Sequence, residues 1–322
     1  MKKPIPLWRS TPPAIFPVCL GLLGLGLGWR SAADVLPIAH EFGDLLLGFS
    51  CTYYLYFLTF YFLKLSARPS VLFEDMTNPP ARAGVAAAAM SMMLLAAALL
   101  PLGIPALYVQ YIWWTGVILQ IGASAIVCYA IWKDPPEQRQ FTTFQYLTFV
   151  GPVVGPIAGI PLGYVWESIL LTLAALVAYV IITIGNGLRL ANKGLPVQLR
   201  PSLAIFLAPT CLFATSFGLL GIDWAFDLFY WLSGIIAFVL LLLFPWMVKG
   251  GWSPVWAAFT FPVSAFLQVQ VMAAINGVGF LALVGVYSGL VLGTSLIAYV
   301  AYRSVMSWVT GELARKSGAA IA

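Results

Sequence analysis

Apolar stretches long enough to cross about 30 Å of hydrocarbon recur from one end of this chain to the other, separated by short segments that hold nearly all its charge. No segment of similar length between them is polar, so a separate water-soluble domain has no place in the sequence. Composition points the same way: 8% of residues are charged and 61% hydrophobic, against about 25% and 45–50% in soluble domains. A water-facing surface cannot be built from that mixture, and lipid must be the solvent for most outward side chains. The apolar run starting near Ala14 has no clear cleavage site after it, so it reads as a retained helix and not a signal peptide.

Cutting the chain at charges and Pro/Gly clusters predicts an all-α integral membrane protein forming a single transmembrane domain over 1–322. Ten helices are expected, over residues 14–31, 43–65, 83–102, 107–132, 143–160, 163–188, 202–221, 224–248, 255–276 and 278–308. Basic residues fix the orientation, because loops retained in the cytoplasm carry the Lys and Arg excess. Lys2, Lys3, Arg9, Lys64, Arg68, Arg82, Lys133, Arg139, Arg189, Lys193, Arg200, Lys249, Arg303, Arg315 and Lys316 all fall on one side, which is 15 of the 16 basic residues. Only Arg30 falls on the other, together with Asp34, Glu41, Asp44, Glu167, Asp223 and Asp227. Both termini are therefore expected in the cytoplasm.

The ten expected helices pair into five hairpins whose members differ in kind. Each odd helix carries small residues at steps of three and four, which keeps them on one face. Helix 1 offers Pro17, Gly21 and Gly24, and helix 3 Ala88 and Ser91. Helix 5 offers Gly151 and Gly155, and helix 7 Ala208, Cys211 and Thr215. Helix 9 offers Ala257, Ser264 and Gln268. The even helices are rich in Leu, Ile, Tyr, Phe and Trp. Prolines at 17, 152, 156, 209 and 262 remove backbone donors from four of the odd helices and kink them. Close helix packing explains any one small-residue stripe. Five of them alternating with bulky helices predict five inner kinked helices ringing a central pore lined by these residues.

No acidic, basic or histidine residue falls mid-span, which disfavours a proton relay. His40 belongs to an acidic loop and reads as a solvated surface residue. Cys19, Cys51, Cys128 and Cys211 lie in apolar spans at unrelated spacings and read as small buried residues. Neither a metal cluster, a nucleophile–base pair nor a phosphate-binding loop is present, so no cofactor, no nucleic-acid partner and no enzymatic activity are expected. An uncharged conduit with a basic mouth favours small anions. Phe261 interrupts the helix-9 stripe. It reads either as a hydrophobic plug across the pore or as packing beside the Pro262 kink. Phe259 and Phe266 fall on the opposite face.

Several segments, in order, resemble a known family: Phe16-Pro17-Val-Cys-Leu-Gly21, Pro79-Pro80-Ala-Arg82-Ala-Gly84, Tyr146-Leu-Thr-Phe-Val-Gly151, Arg200-Pro201-Ser202 through Ala208-Pro209, and Trp256-Ala-Ala-Phe-Thr-Phe261-Pro262. With the ten-helix layout they resemble the tellurite-resistance/dicarboxylate transporter family, in which bacterial TehA and the plant guard-cell slow anion channels are grouped. The resemblance implies a homotrimer in a bacterial inner membrane, one pore per protomer, and Phe261 as the occluding gate. It implies a gated channel or uniporter for chloride or nitrate, or alternatively a secondary transporter or exporter of tellurite, sulfite or C4-dicarboxylates. At Gly151-Pro-Val-Val-Gly155-Pro156 the chain is richer in proline than the family pattern.

Overall fold

A computed structural model of the chain describes residues 6–135 and 139–322. Lys2 and Lys3, and the side chain of Lys193, lie outside the described residues. The elements are helical: α1 (Phe16–Ala32), α2 (His40–Ala67), α3 (Val71–Asp75), α4 (Pro79–Leu99), α5 (Ala106–Lys133), α6 (Pro156–Gly159) and α7 (Val165–Lys193). They continue with α8 (Leu207–Leu219), α9 (Asp223–Met247), α10 (Thr260–Ile275), α11 (Phe280–Ser288), α12 (Thr294–Val309) and α13 (Glu312–Ser317). Among the described residues nine helical spans are long and apolar enough to cross a membrane. The stretch expected as helix 5 is shorter and broken into a π turn (Tyr146–Val150), a 3-10 turn (Gly151–Val154) and α6. Its prolines at 152 and 156 cannot donate to a continuous ladder.

Burial separates the spans into two sets. In those built on α1, α4, α8 and α10, between 61% and 78% of residues are buried inside the protein. In those built on α2, α5, α7, α9 and α11–α12 the share is 17–39%, and their bare faces are Leu, Ile, Phe, Tyr and Trp. Since apolar side chains facing outward at this density are stable only in lipid, the bulky helices form the outer layer. Among the inner elements, α1 touches α4 and α10, α10 touches α8, and the 151–159 stretch touches both α8 and α4.

The prolines sit where each inner span changes its winding. A 3-10 turn precedes α1 (Pro13–Ile15), α8 (Val197–Phe206) and α10 (Pro254–Phe259). Pro17, Pro209 and Pro262 then fall in the first turn of the α-helix, and Pro156 opens α6. First-turn N–H groups have no intrahelical acceptor, so a proline costs least there. The prolines thus do not form the internal kinks that their spacing predicts, but mark junctions between 3-10 and α winding.

Cys128 is exposed on α5, unlike the other three cysteines, because it lies on that helix's outer face. Arg30, the basic residue expected on the acidic side, is paired with Asp44. His40 opens α2 and lies 3.7 Å from Asp34, both exposed.

Candidate functional site: a blind cavity among the inner helices

A cavity of about 420 Å³ opens at the end of the molecule that holds most of the basic residues. Every inner element contributes to its wall: Pro17 from α1, Ala83 from α4, Gly151 from the broken stretch, Ala208 from α8, Ala257 from the 3-10 turn before α10, and Phe261 from its first turn. Each of these elements runs inward from the cavity mouth, so the last lining residue on each is the deepest. These are Leu20, Met90, Gly151 beside Val150, Leu212 and, on α10, Phe261 with Pro262. Leu20, Met90, Val150, Leu212 and Phe261 are all at most 6% exposed, an apolar set at the inner end of the lining.

Close packing lies beyond that floor. A Cβ on Gly24 would collide with Ser264 Oγ and stand 3.6 Å from Cδ2 of Phe261, so the phenyl ring lies against the glycine face of α1. A Cβ on Gly21 would collide with Thr260, and one on Gly28 would reach 2.6 Å from Leu267. The glycines of helix 1 therefore serve the α1–α10 contact, the small-residue packing seen in membrane helices.

Of the residues expected to line a pore, Pro17, Gly151, Ala208, Ala257 and Phe261 border the cavity. Gly21, Gly24 and Ser264 lie at the α1–α10 contact. Gly155 faces Leu171 of α7. Ser91 and Thr215 are buried, each donating its hydroxyl to a carbonyl one turn back on its own helix. Cys211 is fully buried, Ala88 and Gln268 are partly buried, and none of the three borders the cavity. Phe259 packs on Phe244 and Trp256 at centroid distances of 5.6 and 5.7 Å, away from the cavity. Leu20 and Met90 are too large to belong to a small-residue stripe. The usable signal was register: a step of three from Pro17, instead of four, arrives at Leu20.

The broken stretch is stabilised from outside. Pro152 lacks the N–H that would reach the Thr148 carbonyl; Gln120 Nε2 and Ser124 Oγ donate to that oxygen at 2.8 and 2.9 Å. Gln120 Nε2 also donates to the Leu147 carbonyl at 3.1 Å, and Trp113 Nε1 to that of Gly155 at 2.8 Å. Irregular backbone at membrane depth persists only with such partners. Likewise Thr260 Oγ1 donates to the Pro17 carbonyl at 2.8 Å.

The mouth is less positive than its basic residues suggest. Arg82 pairs with Asp134 at 2.8 Å, Arg68 pairs with Glu74, and Lys64 is buried 3.4 Å from Asp75. Lys316 is the only charged residue among the described residues lining the cavity, and it is 2.7 Å from Glu312. Hydrogen bonds from Lys316 and then Arg315 hold the Glu312 carboxyl below the usual carboxylate range. Among the described residues no group of His, Cys, Asp and Glu could hold a metal ion.

A sequence profile of a family described as voltage-dependent anion channel matches residues 10–305, nearly the whole chain. It covers the family that the ordered segments resemble. No curated protein matches the chain.

Proposed function

The chain belongs to the voltage-dependent anion channel family, and from that premise we propose that it is a gated channel or uniporter for small inorganic anions such as chloride and nitrate, occluded by Phe261. One observation supports the proposal: Phe261 and four other buried apolar side chains border a cavity walled by every inner element. A dry hydrocarbon floor holds back water and ions while leaving the path beyond it intact. The inner elements begin at the mouth, so the positive ends of their dipoles point toward an arriving anion. Mid-span charges that would repel or trap an anion are absent from the sequence.

Tyr146–Gly159 then serves as the fifth inner crossing. This gives ten crossings in five hairpins and one transmembrane domain over 1–322. It places both termini in the cytoplasm of a bacterial cell, in the inner membrane, with three copies assembling through their bulky outer faces.

The cavity volume favours a second reading. Its 420 Å³ falls within the roughly 300–1,000 Å³ of small-molecule sites, room enough for a C4-dicarboxylate, tellurite or sulfite carried by alternating access. Planar-bilayer recording separates the two. A channel passes current that reverses at the anion equilibrium potential, while saturable flux without that current supports the carrier and overturns the channel.

A further inference from the structure

We infer that Lys316 is the charge that concentrates anions at the cavity mouth, and that the C-terminal segment 311–322 is a fixed part of the conduction pathway. The inference rests on the channel reading above. Lys64, Arg68 and Arg82 are spent on ion pairs away from the cavity, whereas Lys316 and Ser317 border it. Lys316 and Arg315 share one carboxylate, Glu312, at 2.7 and 2.6 Å, so the trio keeps one net positive charge. An ammonium group has three donors, and that carboxylate does not occupy them all.

The segment is held by side chains from distant parts of the chain. Asn78 Nδ2 donates to the Ser317 carbonyl at 2.8 Å, and Asn78 itself borders the cavity. The Ala320 N–H donates to Asp75 Oδ1 at 2.8 Å, and Arg68 donates to the Ile321 carbonyl at 2.7 Å. Asp75 is fully buried, and its other oxygen accepts from Tyr61 at 3.2 Å and Lys64 at 3.4 Å. Lys64 in turn donates to the Thr11 carbonyl at 3.1 Å. Glycines at 311 and 318, with φ of 74° and 64°, turn the chain on either side of α13. A tail with no role at the mouth would not need a buried carboxylate as its anchor. Lys316 is thus a positioned charge.

The test is single-channel conductance of Lys316→Gln, Lys316→Arg and Asn78→Ala, each combined with Phe261→Ala to give an open path. At about 10 mM salt, Lys316→Gln should conduct about threefold less than its Lys316 parent, and the difference should vanish near 1 M, where the Debye length falls to about 3 Å. Lys316→Arg should retain the parent's conductance, and Asn78→Ala should fall between the two. A purely structural role would lower conductance equally at all salt concentrations. Equal low-salt conductance in Lys316→Gln and its parent, with anion current present, overturns the inference alone. No anion current in folded Phe261→Ala protein overturns the channel reading and this inference with it.

Discussion

Replacing the Phe261 side chain by a methyl group removes the largest single piece of the cavity floor. The ring is 6% exposed and lies against the Gly24 face of α1, so its loss joins the 420 Å³ cavity to the level of Gly24 and Ser264. Burial predicts a cost of about 3–5 kcal/mol for a fully packed Phe→Ala. One side of this ring borders empty space, so about 2–3 kcal/mol is expected. Leu20, Met90, Val150 and Leu212 remain, so the opening is partial. Each ~1.4 kcal/mol that the missing ring takes off the permeation barrier raises flux about tenfold, and a rise of at least about that size is expected. Anion flux into liposomes and single-channel recording would read this directly, with anion-over-cation selectivity unchanged because the mouth is untouched. Phe259→Ala is the control. It removes the contacts with Phe244 and Trp256, should cost about 3–5 kcal/mol, and should leave the path shut. Unchanged flux in folded Phe261→Ala protein, or opening by Phe259→Ala, would refute the assignment of the gate.

Three further outcomes are expected. In a variant without native cysteines, a cysteine at Asn192 should resist impermeant thiol reagents in intact cells while one at His40 reacts; the reverse pattern would invert the orientation. The mass in detergent, corrected for bound detergent, should be three times the 34.9 kDa chain, and a stable active monomer would remove the trimer. Gln120→Leu should lower thermal stability by about 1–3 kcal/mol, since the Leu147 and Thr148 carbonyls both lose the Gln120 amide as donor; an unchanged melting temperature would show that the broken stretch needs no such partner.

Charge and bulk made the spans legible. Lipid excludes ionised groups so strongly that loops announce themselves, and α2, α4, α5 and α9 end within a few residues of the expected bounds. The division into inner and outer spans was legible for the same reason, because residues facing lipid must be apolar and are free to be large. The stripes were harder to interpret. A glycine that clears a path and a glycine that admits Thr260 or Ser264 of a neighbouring helix look identical in sequence, and only α10's position separates them. The floor of the cavity was half legible: Phe261 stood out as bulk among small residues, whereas Leu20 and Leu212 are indistinguishable from dozens of other leucines until register is known. The mouth was the least legible. Asp75, Asn78 and Ser317 are brought together by contacts across more than two hundred residues, and α13 is too short and polar to stand out as a helix.

The change of winding in the inner spans also sets how much chain a crossing consumes. A 3-10 stretch rises about 2.0 Å per residue and an α-helix about 1.5 Å, so the ten residues Val197–Phe206 extend about 20 Å instead of about 15 Å. The spans built on α1, α4, α8 and α10 contain 20 to 24 residues, whereas the outer ones contain 25 to 30. The interior thus covers distance with drawn-out backbone, and the outer layer does so with a surplus of ordinary helix that can tilt or overhang. Register in such a stretch advances 120° per residue instead of 100°. A single deletion between Val197 and Phe206 would therefore turn Ile205 away from the cavity and shorten the crossing by about 2 Å, while in α9 the loss of about 1.5 Å in length could be taken up by tilt but the turn of about 100° could not.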